Sequence, residues 1–208
     1  MLLKLNSIHP SDTQIEKIVN VLRDGGVIIY PTDTVYAFGC DAHNPNAIQK
    51  LCRIKGIDLN EANFSLIFCD IKNIGKYVKP MNNATFKMIN KFLPGPFTFI
   101  LNANGLVNEI YGYKKKTIGL RIPDNRITRG IVRLLGNPLL STSVHDTADF
   151  EEYTTDPELI YNRHGHQVSL MIDGGYGNNE PSTVIDCTSD EILVLREGLG
   201  VELVEEYV

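Results

Sequence analysis

Three short clusters of hydroxyl-bearing residues are the places in this chain where residue type and spacing invite chemistry. The first, Thr32-Asp33-Thr34, follows Gly25-Gly26 and an apolar run of strand length, Val27-Ile28-Ile29-Tyr30, that stops at Pro31. In an open α/β sheet the ground beyond the carboxyl end of a strand is where ligands bind. There the cluster would present hydroxyls, a carboxylate and turn N–H groups. Taken alone, it reads equally well as a turn that caps the next helix. The second cluster, Ser141-Thr142-Ser143, stops the short apolar stretch Pro138-Leu139-Leu140, and the third, Ser182-Thr183, opens Val184-Ile185-Asp186. With Arg121 and Arg196 also near predicted strand ends, the clusters point to one shared cavity lined for an anion. Arginine suits such a cavity because its planar fork grips a carboxylate or phosphate with two hydrogen bonds. Singly, each arginine reads as a surface ion pair.

Missing motifs narrow the chemistry. The chain has no Walker A loop, no G-x-G-x-x-G after the first strand, no G-x-S-x-G elbow and no H-E-x-x-H. No Ser, His and Asp stand out as a triad; His145 beside Ser143 comes nearest. A site rich in hydroxyls and guanidinium groups but poor in bases works by positioning and electrostatics. Nucleotidyl and phosphoryl transfer largely proceed that way, with Mg2+ as the extra charge. Cys40, Cys52, Cys69 and Cys187 form no C-x-x-C pair, so four buried free thiols are expected rather than a zinc knuckle, redox motif or disulfide framework. His164 and His166 make an H-x-H pair without a third ligand at a suggestive spacing, and no metal site is expected.

The elements that must position these residues read as alternating helices and strands. Ser11-Asp12-Thr13 opens a helix carrying Ile15, Ile18, Val19 and Leu22, which ends at Gly25-Gly26. Asn44 caps and Pro45 begins a second helix running to Lys55. Strands are predicted at Phe64–Cys69, Phe97–Leu101, Thr117–Ile122, Pro138–Leu140 and Val168–Ile172, with Ser182–Asp186 and Ile192–Arg196 as a closing pair. Helices are predicted at Ala84–Leu93, after Asp124 or Asn125, and after Thr155-Asp156-Pro157. The result is an α/β fold: one domain over residues 1–208, a twisted open mixed sheet with helices packed on it.

Composition sets outer bounds. At 43% hydrophobic and 22% charged residues, the chain is an ordinary globular one that can bury a sizeable core. No apolar run approaches the roughly 20 residues of a membrane helix, and the opening Met1–Asn6 lacks a signal peptide's apolar stretch. A cytoplasmic protein without membrane partners is expected. The net charge of −5 disfavours a general nucleic-acid binder. Its distribution is uneven, with Lys114, Lys115, Lys116, Arg121, Arg126, Arg129 and Arg133 crowded together ahead of an acidic stretch from Asp149 to Glu158. That basic run supports a second reading, a binding module for double-stranded RNA or tRNA without catalysis, although it lacks interleaved aromatics.

Ordered motifs carry a resemblance. G-G-x-x-x-x-P-T-D-T-V-Y-x-x-G at 25–39 resembles the opening signature of the YrdC-like family of L-threonylcarbamoyladenylate synthases. Pro94-Gly95-Pro96-Phe97-Thr98-Phe99-Ile100-Leu101, Gly119-Leu120-Arg121-Ile122-Pro123, Pro181-Ser182-Thr183-Val184-Ile185-Asp186 and Leu195-Arg196-Glu197-Gly198 are similar to its later segments, in family order. The resemblance implies a YrdC/RibB-like twisted sheet around a large, basic, concave cavity. It also implies a nucleotidyltransferase that joins L-threonine, bicarbonate and ATP, with Mg2+, into threonylcarbamoyl-AMP and pyrophosphate for tRNA threonylcarbamoyladenosine modification. By the same resemblance Thr32, Arg121 and Ser182 would hold threonine or its carbamate. Lys55 and Ser141 would be catalytic, and both would line the nucleotide pocket with Ser143, Thr183 and Arg196.

The chain departs from the family's K-x-R…S-x-N tetrad at two positions. Lys55-Gly56-Ile57 keeps the lysine but has isoleucine for the arginine, and Ser141-Thr142-Ser143 keeps the serine but replaces the asparagine. Losing an arginine that grips a polyphosphate forfeits a contact on the order of 1.5–3 kcal/mol. Together with Asn63-Phe64-Ser65-Leu66, the pattern looks more like the YciO-like branch, with an activity weakened or turned to another use.

Overall fold

The computed structural model of the protein describes residues 1–144 and 154–207. Along the chain come β1 (Leu2–Lys4), α1 (Asp12–Arg23), β2 (Ile28–Tyr30), β3 (Ala37–Asp41), α2 (Pro45–Lys55), β4 (Ser65–Ile67), α3 (Asn83–Phe92), β5 (Phe97–Asn102) and α4 (Gly105–Tyr111). β6 (Thr117–Arg121), α5 (Arg126–Leu135), β7 (Leu139–Ser143), α6 (Pro157–His164), β8 (Leu170–Asp173), β9 (Thr183–Asp186) and β10 (Leu193–Arg196) follow. The strands form one mixed sheet in the order β1-β8-β2-β3-β7-β4-β6-β5-β9-β10.

Side chains alternate across a strand, and here neighbouring rows of the sheet differ sharply. One row, in register across six strands, runs Cys40, Leu140, Leu66, Leu120, Phe99 and Ile185. All six are buried, in a core shared with α2, α3, α4 and α6 through residues such as Leu51, Met88, Val107 and Ile160. The adjacent row on the other face runs Gly39, Ser141, Ser65, Gly119 and Ile100. Small and hydroxylated, it leaves that face hollow over the middle of the sheet. Towards β2 and β8 the same face is filled instead by α1 and α5, whose Ile18, Leu22, Ile127 and Ile131 pack with Ile28, Leu170 and Ile172. The stripes sit at helical spacing, as an amphipathic helix on a sheet requires.

Most expected elements are present, with differences that have physical reasons. β3 was not expected. It returns antiparallel along β2 and is buried at all five residues, so neither face shows a polar alternation. β1 and α4 were likewise unforeseen. Ser141-Thr142-Ser143 does not stop a strand but forms the second half of β7, because β3 pairs with all three residues and β4 with Ser141. Ser11 stands at the start of α1 but makes no capping bond with its side chain, whereas Asn44 and Asn125 cap α2 and α5. Cys69 is partly exposed; the other three thiols are buried. His145, Asp149, Glu151 and Glu152 lie outside the described residues; Asp156 caps α6. Among the described residues no helix is long and apolar enough to cross a membrane.

Burial pushes the Cys187 thiol and the Tyr36 phenol up to about 12 and also raises Tyr30, Tyr111 and Cys40. In the unfolded chain these groups ionise at their ordinary values, near 9 for thiols and 10 for phenols. Above those values the unfolded chain holds fewer protons than the folded one, so stability falls as pH rises. Half-buried Lys55 and Lys115, lowered by desolvation, act in the opposite sense but are fewer. The thermal midpoint should be flat near neutrality and fall above about pH 9, measured by circular dichroism across buffers.

Candidate functional site

The hollow over the sheet is a cavity of about 510 Å³, within the range of small-molecule sites. Its floor is the small-residue row. A Cβ at Gly119 would lie 2.7 Å from the Ser65 hydroxyl and crowd the floor, and Gly39, at the β3 end of the same row, makes room for the Tyr30 ring, 2.6 Å from where a Cβ would stand. Lys115, Arg121 and Arg196 line the cavity, and among the described residues none that lines it is an aspartate or glutamate. The described lining therefore carries a net positive charge facing any ligand.

Arg121, at the end of β6, is held from behind. Its Nη2 donates to Asp33 Oδ1 at 2.5 Å and to the Thr34 hydroxyl at 2.8 Å. Both ions of this pair are largely buried, with side-chain exposures of 9% and 13%. Asp33 Oδ2 and Arg121 Nε have no protein partner. The hydroxyl of Thr32 closes the loop. It donates to Val35 O (2.8 Å) and accepts from the Thr34 N–H (3.0 Å) and the Thr34 hydroxyl (3.1 Å). With its proton and both lone pairs spent, Thr32 forms wall and loop geometry, and in this structure its hydroxyl has nothing left for a ligand.

The other hydroxyls can be accounted for in the same way. Ser141 donates to Phe38 O (2.9 Å) and so accepts from the Tyr30 hydroxyl, 2.5 Å away. One lone pair remains, making Ser141 an acceptor towards the cavity. Ser182 is bonded to Thr98 (2.9 Å) and accepts from Arg196 Nη2 (3.2 Å). Of the two protons in the Thr98–Ser182 pair, one is used between them and one is left to donate. Arg196 also clamps the Ser182 carbonyl at 2.8 and 3.1 Å. The register of β10 shifts between Val194 and Arg196, and the consecutive residues Leu195 and Arg196 both line the cavity, as a bulge allows.

The structure thus brings Thr32, Arg121, Ser141, Ser143, Ser182 and Arg196 around one cavity. Two expected residues are placed differently. Thr183 points the other way, as its neighbour in a strand must: it is fully buried, donating to Leu199 O and accepting from the Gly198 N–H. Lys55 does not line the cavity; its ammonium stands 3.4 Å from the Ser143 carbonyl and 5.9 Å from the Phe38 ring centre, and desolvation lowers its pKa. Asp33 and Lys115, read from sequence only as members of the Thr-Asp-Thr cluster and of the basic run, take individual roles here, and Thr98 is added to the site. Thr98 was visible as the polar member of the alternating run Phe97–Leu101. The basic run is divided: Lys115 and Arg121 face the cavity, whereas Arg126, Arg129 and Arg133 line a separate groove beside α1. Among the described residues no group of three potential ligands could hold a metal ion.

Comparison with known proteins agrees with this architecture. Residues 20–198 match the Sua5/YciO/YrdC family model, described as "Telomere recombination". The YciO protein of Escherichia coli K12, itself described as uncharacterized, is 40% identical over 198 residues, covering 93% of this chain and 94% of its own. The crystal structure of E. coli YciO superposes with a TM-score of 0.90 at 37% identity, covering 100% of this chain and 99% of the other. P. abyssi Sua5 complexed with L-threonine gives a TM-score of 0.89 at 22% identity; it shares the fold over 100% of this chain and 61% of its own.

Removing one partner of a buried ion pair strands the other charge. Asp33→Ala should lower unfolding stability by about 3 kcal/mol in urea titrations, and a second change, Arg121→Met, should recover a large part of that loss.

Proposed function

Because the chain belongs to the Sua5/YciO/YrdC family, we propose that its cavity binds L-threonine and ATP and forms threonylcarbamoyl-AMP, at a rate reduced by Ile57 and Ser143. The observation that carries this reading is the cavity lining itself: three cations, a set of fixed hydroxyls and, among the described residues, no carboxylate. Such a lining favours a ligand with more than one anionic group.

In the proposed reaction the amine of threonine takes up bicarbonate as a carbamate with loss of water. A carbamate oxygen then bonds to the α-phosphorus of ATP as the bond to pyrophosphate breaks. The chain's contribution is placement and charge. The Arg121 fork, fixed by Asp33 and Thr34, takes a carboxylate. Ser141, limited to accepting, suits the N–H of the amino acid or carbamate, and the Thr98–Ser182 proton suits an oxygen. Among the described residues no Asp or Glu lines the cavity to serve as a magnesium ligand; Mg2+ would enter as the ATP complex, held by phosphate oxygens.

Pure protein with threonine, bicarbonate, Mg2+ and ATP should release pyrophosphate only when threonine is present, and Ile57→Arg with Ser143→Asn should raise that rate. Absence of threonine-dependent release at high protein concentration rules the reading out.

A second reading, binding of double-stranded RNA or tRNA, draws on the groove of about 600 Å³ lined by Arg126, Arg129 and Arg133. Phosphate contacts there would make binding fall steeply with salt. Filter binding at two ionic strengths should show that fall, and its reduction in Arg129→Ala; salt-insensitive binding excludes this reading.

A further inference from the structure

Of three consecutive lysines, Lys114, Lys115 and Lys116, only the middle one is turned inward: its neighbours are exposed while Lys115 is half-buried and lines the cavity. Its ammonium donates to Ala62 O at 2.7 Å and lies 4.6 Å from the centre of the Tyr111 ring. Tyr111 is itself buried, reaching Phe64 O with its hydroxyl and meeting Tyr113 edge-on. Backbone and ring therefore fix the ammonium in place, with two of its three N–H bonds left over. Among the described residues neither ion pair involves Lys115, and none of them lines the cavity it enters with a carboxylate. It is a cation partly removed from water with no counterion among the described residues, and desolvation lowers its pKa accordingly.

Its position relative to Arg121 matters as much as its charge. Arg121 ends β6 and Lys115 stands two residues before its start, and Thr117 to Arg121 alone spans about 13 Å at the rise of a strand. Lys115 therefore enters the cavity at the end of the Gly119 floor opposite Arg121, with Arg196 as the third lining cation. Lys115 and Arg121 differ in kind. Arg121 presents a planar fork suited to a carboxylate, whereas a lysine is a compact point charge that serves phosphate well. Lys115 also grips the loop at Ala62, a few residues beyond Ile57, where that loop supplies no arginine to the cavity.

We propose that Lys115 binds the phosphate chain of the ligand, at the opposite end of the cavity from Arg121. The inference rests on the nucleotide reading given above and assigns a residue to its phosphate end. Calorimetric titration of ATP, inorganic tripolyphosphate and L-threonine, each separately, into wild type, Lys115→Gln and Lys115→Arg tests it. Lys115→Gln can keep the bond to Ala62 but loses the charge. Its affinity for ATP and tripolyphosphate should fall about tenfold, the expected scale of one charge-assisted contact. Its L-threonine affinity and thermal midpoint should be unchanged, and Lys115→Arg should retain polyphosphate binding. ATP binding by Lys115→Gln equal to wild type overturns the role of Lys115 alone. Loss of L-threonine in step with ATP also overturns it, marking Lys115 as a structural prop of the rim. A wild type that takes up neither ATP nor tripolyphosphate removes the nucleotide reading and this role together.

Discussion

The two-residue period of the strands is the constraint on which the rest of this structure depends. The same six-strand segment must bury a continuous apolar row below and present a small, hydroxylated row above. A slip of one residue in any pairing would exchange the two, putting Leu66 or Leu120 into the cavity and Ser65 or Gly119 into the core. Hydroxyls are tolerated on buried strands because the structure supplies each with a partner: Ser141 with Phe38 and Tyr30, Ser182 with Thr98. The cavity is thus the upper surface of the sheet that forms the core. Its shape is protected by the free energy of apolar burial beneath it.

How much of this could be read in the sequence follows from which signals are periodic. The helices α1, α2, α3 and α5 were legible because apolar residues recur every three or four positions between capping residues. β5 and the β9–β10 pair were legible from alternation and turn residues. β3 was hidden because both of its faces are covered, which erases alternation. In β7, Ser141-Thr142-Ser143 looked like a strand end because hydroxyls usually mark loops; pairing with β3 along its length, and with β4 at Ser141, keeps it extended. The hydroxyl clusters and Arg121 were legible as a group because several polar signals fell at strand ends. Which member of each cluster faces inward is a matter of strand parity, and it separates Ser182 from Thr183. The inward turn of Lys115 among three lysines depends on Tyr111 and Ala62, distant in sequence, and no local pattern encodes it.

Proton accounting limits the cavity more tightly than its list of polar residues does. Thr32 has exhausted its capacity, Ser141 can only accept, and the Thr98–Ser182 pair can give one proton. Donors towards the cavity come from its cations and from the Asn63, Ser65, Thr117 and Ser143 side chains that also line it. The cations select ligands rich in acceptors and negative charge, because a ligand donor placed against guanidinium or ammonium would leave buried groups unpaired.

The Asp33–Arg121 pair carries the same logic to the floor of the cavity. A buried ion pair contributes little net stability, since the desolvation of two charges offsets most of their attraction. What the pair does provide is position. An arginine without Asp33 would turn towards solvent, and a ligand would have to draw it back at a cost in side-chain entropy. Fixed by Asp33 and Thr34 through a single nitrogen, and with Nε buried, Arg121 keeps Nη1 beside the small-residue floor. The Thr-Asp-Thr cluster therefore acts less as a set of ligand contacts than as the mount that aims one guanidinium into the cavity.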